Sequence, residues 1–391
     1  MNLDDFLSAK PLFYDVIDVD RFPQAYTQIS GNLPKPDIVH IVGTNGKGST
    51  GRFLATALHR AGKQVGHYTS PHIMRFNERI WINGSEISDD ALEAAHKRLY
   101  ALLGPKNAEL LSYFEYTTLL AMVAYEGCDY VVLEAGLGGE YDATNVFDKV
   151  LSVFTPIDFD HAAFLGTTID SVAGTKLRSM QHLALLGKQK HPEVETIARA
   201  VADEKGCILY GVEERSTPHI RDIASRVAIK NGLSDYLRDN LELAMCAYEL
   251  LGHEAHEALF DQYALFGRLS PIAPNVTLDV GHNPLAARSI AEAYAGKKVT
   301  LVYNTYRDKD YREILSILSP VIDTVEIIDV DDARIAERSD LEAALNELNL
   351  PYSPFEAIET DKEYLIFGSF SVAEAFIKNY TLLEQSPNEL R

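Results

Sequence analysis

The chain has 391 residues, 46% of them apolar and 24% charged, a globular composition long enough for two domains. A formal net charge of −21 argues against a nucleic-acid partner, so any phosphate site must be a local positive spot in an acidic protein. The acidic start Met1-Asn2-Leu3-Asp4-Asp5-Phe6 does not suit a signal peptide, and no apolar run reaches the ~18 residues of a membrane span. Three scattered cysteines, Cys128, Cys207 and Cys246, read as buried thiols in a reducing compartment. A cytoplasmic monomer with small-molecule partners and no membrane is the expectation.

Residues 1–36 predict two short helices, closed by Gly31 and the breaker Pro34-Lys35-Pro36. Asp37-Ile38-Val39-His40-Ile41-Val42 then reads as a buried parallel strand, and Phe53, Leu54, Ala57, Leu58 and Ala61 fall on one face of a following helix. Between them lies Gly43-Thr44-Asn45-Gly46-Lys47-Gly48-Ser49-Thr50. This is a shorter form of the glycine-rich phosphate turn, with Ile41 where the usual pattern has its first glycine. Glycines let the backbone approach an anion, the helix start attracts it, Lys47 reaches a terminal phosphate, and Ser49 or Thr50 can hold Mg²⁺. Nucleotide binding follows.

A second strand, Gln64–Tyr68, runs into Thr69-Ser70-Pro71-His72 and Arg75-Phe76-Asn77-Glu78-Arg79-Ile80, a polar loop. Loops after parallel strands gather at the carboxyl edge of the sheet, where the phosphate turn also sits. A helix over about 88–103 follows, then a second with Tyr116, Leu119, Leu120 and Val123 on one face, which is compatible with simple core. The strand Asp129–Glu134 ends in a carboxylate suited to a Mg²⁺ ligand and leads into Ala135-Gly136-Leu137-Gly138-Gly139 and Tyr141-Asp142-Ala143-Thr144-Asn145. The strand Val150–Phe154 ends in Asp158-Phe159-Asp160-His161, which places His161 on the same edge as Glu134 and Ser49 for a metal or phosphate role. In the next helix, capped by Thr167 or Thr168, Lys176 shares the apolar stripe of Ile169, Val172 and Ala173. It either snorkels to solvent or is a desolvated active-site amine able to react with carbon dioxide.

From Leu183 to Ser216 a loop over 187–192 and a strand over 206–210 are predicted, then a helix Asp235–Leu251 with Asn240 near its start. The proline-marked connector Gly267–Pro274 signals a domain change, expressed as domains 1–265 and 266–391. Beyond it an α/β rhythm restarts. Strands are predicted at 276–279, 299–303, 324–328 and 364–367, with Asp279, His282 and Ser369 at strand ends, and the tail from Glu384 is expected to be loose. Two carboxyl edges facing each other would make a cleft.

Taken together, these motifs resemble the folylpolyglutamate synthase and dihydrofolate synthase family of the Mur ligase superfamily. The likeness covers most of residues 37–372: the phosphate turn, Ser70-Pro71-His72 with Glu78-Arg79-Ile80, Glu134–Gly139 with Asp142–Asn145, Asp160-His161 with Leu165-Gly166, Gly281-His282-Asn283-Pro284, and Gly368-Ser369-Phe370. It implies an α/β fold: a P-loop ATPase domain with a mostly parallel sheet, joined to a smaller Rossmann-like domain that serves glutamate ligation. The implied reaction joins L-glutamate to dihydropteroate or a reduced folate with ATP, through an acyl phosphate.

By the same resemblance, Lys47, Lys176, His161 and His282 are catalytic, while Asn240, Arg268 and Asp279 join residues 43–50 at the nucleotide. Ser70, His72, Arg75, Arg79, Phe114, Glu115, Tyr116, Tyr141, Asp142, Ala143, His282 and Ser369 serve the acid and glutamate. Ser49, Ser70, Glu134 and His161 attend Mg²⁺. Lys176 falls where the family carries a carbamylated lysine, although Thr175-Lys176-Leu177-Arg178-Ser179 replaces the usual Glu-Lys-Ala-Gly-Ile. Phe266-Gly267-Arg268 likewise replaces Pro-Gly-Arg, and Asp279-Val280-Gly281-His282 replaces Asp-Gly-Ala-His. A sibling amino-acid ligase with another acceptor and a non-ligating nucleotide-binding regulator are the competing readings.

Overall fold

The computed structural model describes residues 2–11, 18–261 and 265–385; residues 386–391, most of the tail expected to be loose, lie outside the described residues. The chain divides into two compact units, Met1–Ala264 and Leu265–Arg391. Among the described residues, no helix is long and apolar enough to cross a membrane.

The first unit is built on an eight-stranded sheet: β1 (Asp37–Val42), β2 (Val65–Tyr68), β3 (Ile80–Ile82), β4 (Ser85–Glu86), β5 (Tyr130–Glu134), β6 (Leu151–Phe154), β7 (Leu183–Leu186) and β8 (Ile208–Gly211). Their order is β4-β3-β2-β5-β1-β6-β7-β8, with only β3 and β4 antiparallel to their neighbours. The chain first works outward from β1 on one side and returns through β5, then crosses to β6 on the other. The end of β1 is therefore the switch point of the sheet, where such folds open a crevice for ligands.

Side chains alternate across β1. Val39 and Ile41 pack beneath Lys47–Arg60, Pro218–Asn231 and Asp235–Leu250, while Ile38 and Val42 face the cores on the opposite side. Both faces are covered, which is why β1, β5 and β6 read as continuous apolar runs rather than alternating ones.

Several elements differ from expectation. The helix predicted to end near 103 extends as Asp89–Leu110, with a break at Gly104, where φ is +71° and Pro105 begins a further stretch. The loop read at 69–80 closes into the β3–β4 hairpin. Strand β7 and the helix Pro192–Lys205 lie in the segment 183–216 that the sequence left partly unread, and the helix Pro218–Asn231 follows it. Of the three thiols only Cys246 is buried; Cys128 and Cys207 are partly exposed.

The second unit has six strands: β9 (Ser270–Ala273), β10 (Val276–Leu278), β11 (Val299–Tyr303), β12 (Ile322–Ile327), β13 (Tyr352–Pro354) and β14 (Tyr364–Phe367), ordered β13-β12-β11-β14-β10-β9. The stretch read as a connector is thus strand β9, an antiparallel edge strand on β10. Proline is tolerated there because one side of an edge strand needs no ladder donor. The carboxyl ends of β10 and β14 are neighbours.

Candidate active site

The phosphate turn occupies the switch point. A Cβ on Gly43 would stand 1.9 Å from Thr155 Oγ1 and 3.0 Å from the Thr155 carbonyl oxygen, so only glycine lets the turn lie against the end of β6. Gly46 adopts φ +85° as the N-cap of the helix Lys47–Arg60, and a Cβ there would meet Asn240 Oδ1 at 2.6 Å. The turn is also held from the loop after β6. Thr44 Oγ1 donates to the Asp158 carbonyl at 2.8 Å and accepts from the Asp158 N–H at 3.0 Å, and the N–H groups of Thr44 and Asn45 donate to the Pro156 carbonyl at 2.9 and 3.4 Å. Lys47 folds back over the turn, its Nζ donating to the carbonyls of Gly43 at 3.2 Å and Thr44 at 3.1 Å.

Three polar atoms here are buried without a hydrogen-bond partner: Ser49 Oγ, Thr50 Oγ1 and Asn240 Nδ2. Each such orphan costs about 1–3 kcal/mol, and all three cluster where Gly48, the helix N-terminus and Lys47 present positive potential. The arrangement is built for an anion.

Lys176, in the helix Ile169–Leu177, does not snorkel; only 4% of it is exposed. Its Nζ donates to the Gly43 carbonyl at 3.0 Å, the same oxygen that Lys47 reaches. Burial, followed by repulsion from Lys47, lowers its pKa from 10.5 to about 7 against the opposing pull of Asp160 and Asp142. A large fraction of Lys176 is therefore neutral amine near pH 7. Gly139 packs so close to the Lys176 backbone that a Cβ would fall 2.7 Å from the Lys176 oxygen, which fixes the glycine loop against this helix.

Glu134 ends β5 opposite Ile41 and is buried; the Thr69 hydroxyl donates to its Oε2, so the carboxylate and the loop carrying Ser70 come together. His161 stands after β6 in a left-handed conformation, φ +51°, with an exposed ring whose Nε2 lies 3.9 Å from Asp160 Oδ2. Hard oxygen donors on Ser49 and Glu134 suit a divalent cation of the Mg²⁺ type. Among the described residues no cluster of three histidine, cysteine or acidic side chains that could hold a metal ion is found.

The Asp142 carboxylate accepts from the Leu137 N–H at 2.8 Å and the Thr144 N–H at 2.9 Å, and from the Thr144 hydroxyl at 2.5 Å; Thr144 Oγ1 in turn lies 2.7 Å from His40 Nε2. Since Thr144 spends its one proton on Asp142, His40 must donate from Nε2. Ala143 is buried in this turn, and Tyr141 projects outward at 65% exposure. The Phe114 ring covers Gly136, where a Cβ would come within 2.5 Å of its Cζ.

Two expected ligand residues are engaged within the fold. Tyr116 is 0% exposed and donates or accepts at 2.8 Å with His96 Nδ1, packed in the core against Phe6. Glu115 caps its own helix through the Ser112 N–H at 2.7 Å and takes Arg21 Nε at 3.0 Å and Nη2 at 2.9 Å. Helical spacing turns both side chains away from the Gly136 loop, while Phe114 faces it. His72 Nδ1 accepts from Arg79 Nε at 2.8 Å, and burial, then the Arg79 charge, push its pKa down to about 4, leaving it neutral. Arg75 is exposed and paired with Asp89 at 2.6 Å.

In the second unit, Asp279 accepts from the Leu269 N–H at 2.9 Å and the Gly281 N–H at 2.8 Å, which joins the turn carrying Arg268 to the loop carrying His282. The Arg268 guanidinium lies 5.5 Å from the Phe370 ring centre, and the His282 ring is 6.5 Å from the same ring. His282 Nδ1 donates to the Val280 carbonyl at 3.1 Å. Ser369 is buried, its Oγ accepting from the Val372 N–H at 3.1 Å.

Sequence reasoning singled out neither Thr69, which holds Glu134, nor Thr155 and His40, whose contacts with Gly43 and Thr144 appear only once distant segments pack together.

No family model matches the chain. It is similar to the dihydrofolate synthase/folylpolyglutamate synthase of Escherichia coli, 34% identical over 313 residues and covering 74% of this chain and 72% of that protein. The Haemophilus influenzae protein of the same name is 30% identical over 345 residues, 78% of this chain and 77% of that protein. Among solved structures, Helicobacter pylori folylpolyglutamate synthetase aligns with TM-score 0.79 and 39% identity over 97% of this chain and 98% of that one. E. coli FolC in complex with DHPP and ADP aligns with TM-score 0.82 and 27% identity over 99% of both. With 30% and 34% identity to the two bacterial proteins over more than two thirds of each chain, the chain belongs to the dihydrofolate synthase/folylpolyglutamate synthase family.

Proposed function

We infer that the chain is an ATP-dependent ligase that joins the amine of L-glutamate to the carboxylate of dihydropteroate, of reduced folates, or of both. The observation that carries this reading is the phosphate turn, where orphaned Ser49, Thr50 and Asn240 groups and two lysines converge on one anion site. Relatives support it: E. coli FolC was solved with DHPP and ADP, and a Yersinia pestis relative with AMPPNP and Mn ion, at 25% identity and TM-score 0.80.

A carboxylate resists an amine because its leaving group would be oxide. Transfer of the γ-phosphoryl group gives an acyl phosphate, the amine adds to its carbonyl carbon, and the tetrahedral intermediate expels phosphate to leave the amide. The protein's work is positioning and charge neutralisation. Lys47 and the N–H groups of residues 43–50 hold the β- and γ-phosphates, with Asn240, Arg268 and Asp279 at the rest of the nucleotide. Ser49, Ser70, Glu134 and His161 would hold Mg²⁺, which supplies charge neutralisation on the phosphoryl oxygens.

Phe114, Tyr141, Asp142 and Ala143, with Ser70, His72, Arg75 and Arg79, attend the acid, and His282 and Ser369 attend glutamate. The buried amine of Lys176 is the group positioned to take up carbon dioxide as a carbamate. Residues 1–265 form the ATPase domain and 266–391 the glutamate domain of a cytoplasmic monomer.

The test is ADP release by purified protein with Mg·ATP and L-glutamate, comparing dihydropteroate, tetrahydrofolate and no acid, with products identified by mass. Glutamate-dependent turnover with either acid supports the reading and names the acceptor. Protein that binds ATP but turns over with neither is a sibling ligase or a regulator.

A further inference from the structure

Lys149 lies between the short turn Ala143–Val146 and β6, and it is 2% exposed. Nothing in the ligation chemistry above uses it, yet its ammonium is fully engaged. Nζ donates to Asn145 Oδ1 at 2.6 Å, to the Asn145 carbonyl at 3.3 Å and to the Ser179 carbonyl at 3.2 Å. An ammonium has three protons, and here there are three acceptors.

Those acceptors lie on two different parts of the site. Asn145 closes the acid-side loop on itself, since its Nδ2 donates to the Glu140 carbonyl at 2.7 Å and its N–H to the Asp142 carbonyl at 2.9 Å. Ser179 follows the lysine helix, and its Oγ donates to the Lys176 carbonyl at 2.6 Å. Two further contacts run along the same seam: the Glu140 N–H donates to the Thr175 carbonyl at 2.8 Å, and Gly139 abuts the Lys176 backbone. The Lys149 amine stands at the end of that seam.

Keeping it there is costly, because burial and then the nearby Lys205 lower its pKa from 10.5 to about 7 while Asp148 and Asp142 pull the other way. A methionine of similar length would fill the same volume without that cost. Retaining the amine makes sense where three directed bonds matter more than stability.

We propose that Lys149 is a positioning residue for ligation, fastening the loop Glu140–Asn145 to the end of the helix that carries Lys176. Acid acceptor and Lys176 are then held in one register. The proposal rests on the ligase reading above, because the loop's importance for the acid comes from it.

The experiment compares full-length wild type, Lys149→Met, Asn145→Ala and the double variant, varying dihydropteroate at saturating Mg·ATP and L-glutamate and then varying ATP. Lys149→Met is expected to raise KM for dihydropteroate at least tenfold and lower kcat, with KM for ATP within twofold of wild type. The double variant is expected to raise the same KM by less than the product of the two single effects, since both single changes remove the Lys149–Asn145 Oδ1 bond while only Asn145→Ala also loses the bond to the Glu140 carbonyl; a full product would overturn the proposal.

A purely structural lysine would lower the urea midpoint and leave KM for dihydropteroate unmoved, which overturns the proposal. If Lys149→Met does not fold, Asn145→Ala decides: a rise of at least threefold in the same KM supports the proposal and no rise refutes it. Wild type that binds ADP but shows no acid-dependent turnover overturns the ligase reading and this proposal with it. Normal wild-type turnover with unmoved variants overturns the proposal alone.

Discussion

Replacing Lys176 by methionine should stabilise the protein at neutral and lower pH while abolishing ligation. The side chain is buried, and its pKa falls from 10.5 to about 7 on folding, so the native state binds fewer protons than the unfolded chain between those values. Stability therefore rises with pH across that window, and the cost of keeping the lysine is largest below it. Each tenfold loss of proton affinity corresponds to ~1.4 kcal/mol, so the cost is about 4–5 kcal/mol near pH ~6.5 and about 1–2 kcal/mol near pH ~9.5.

Methionine removes this cost but forfeits the bond to the Gly43 carbonyl, a loss of about 1–3 kcal/mol. The net expectation is a variant more stable than wild type by about 2–3 kcal/mol near pH ~6.5 and equal or less stable near pH ~9.5, a change of about 3 kcal/mol between the two. Lys149, whose pKa is lowered alike, is present in both proteins and cancels. The assay is urea unfolding of both proteins at each pH in carbon-dioxide-free buffer, so that no carbamate forms. A difference that does not change with pH, or a variant less stable at the lower pH, would refute the burial argument.

Two further outcomes are expected. Gly43→Ala puts a methyl 1.9 Å from Thr155 Oγ1, so ADP affinity measured by calorimetry should fall at least tenfold. Adding Thr155→Ala should recover only part of it, because the Thr155 carbonyl remains 3.0 Å away. Tyr116→Phe should cost about 1 kcal/mol in urea unfolding through the lost bond to His96, with KM for the acid unchanged; an acid KM that moves severalfold would return Tyr116 to the ligand pocket.

The local chemistry of this protein is written in short contiguous runs. An apolar strand, a glycine turn and a helix face are adjacent in the chain, so β1, the turn at residues 43–50 and the helix Lys47–Arg60 follow from periodicity alone. Carboxylates at strand ends, such as Glu134 and Asp279, are legible for the same reason. What had no clear local signal was atypical: β9 carries Pro271 and so reads as a connector, because an edge strand tolerates a proline.

Tertiary structure decided everything that depends on two distant segments meeting. The sequence left Lys176 either snorkelling or buried, and only the folded site brings its amine to the Gly43 carbonyl, 133 residues away. Phe114, Glu115 and Tyr116 are consecutive, yet one covers Gly136, one caps a helix and one fills the core, because successive helical positions point about 100° apart. Periodicity reports that a face exists; it does not say what stands opposite. That partner is fixed by strand order, which is a property of the whole chain, and here strand order sets β1 between β5 and β6 and so brings the turn at residues 43–50, Glu134 and the loop after β6 to one edge.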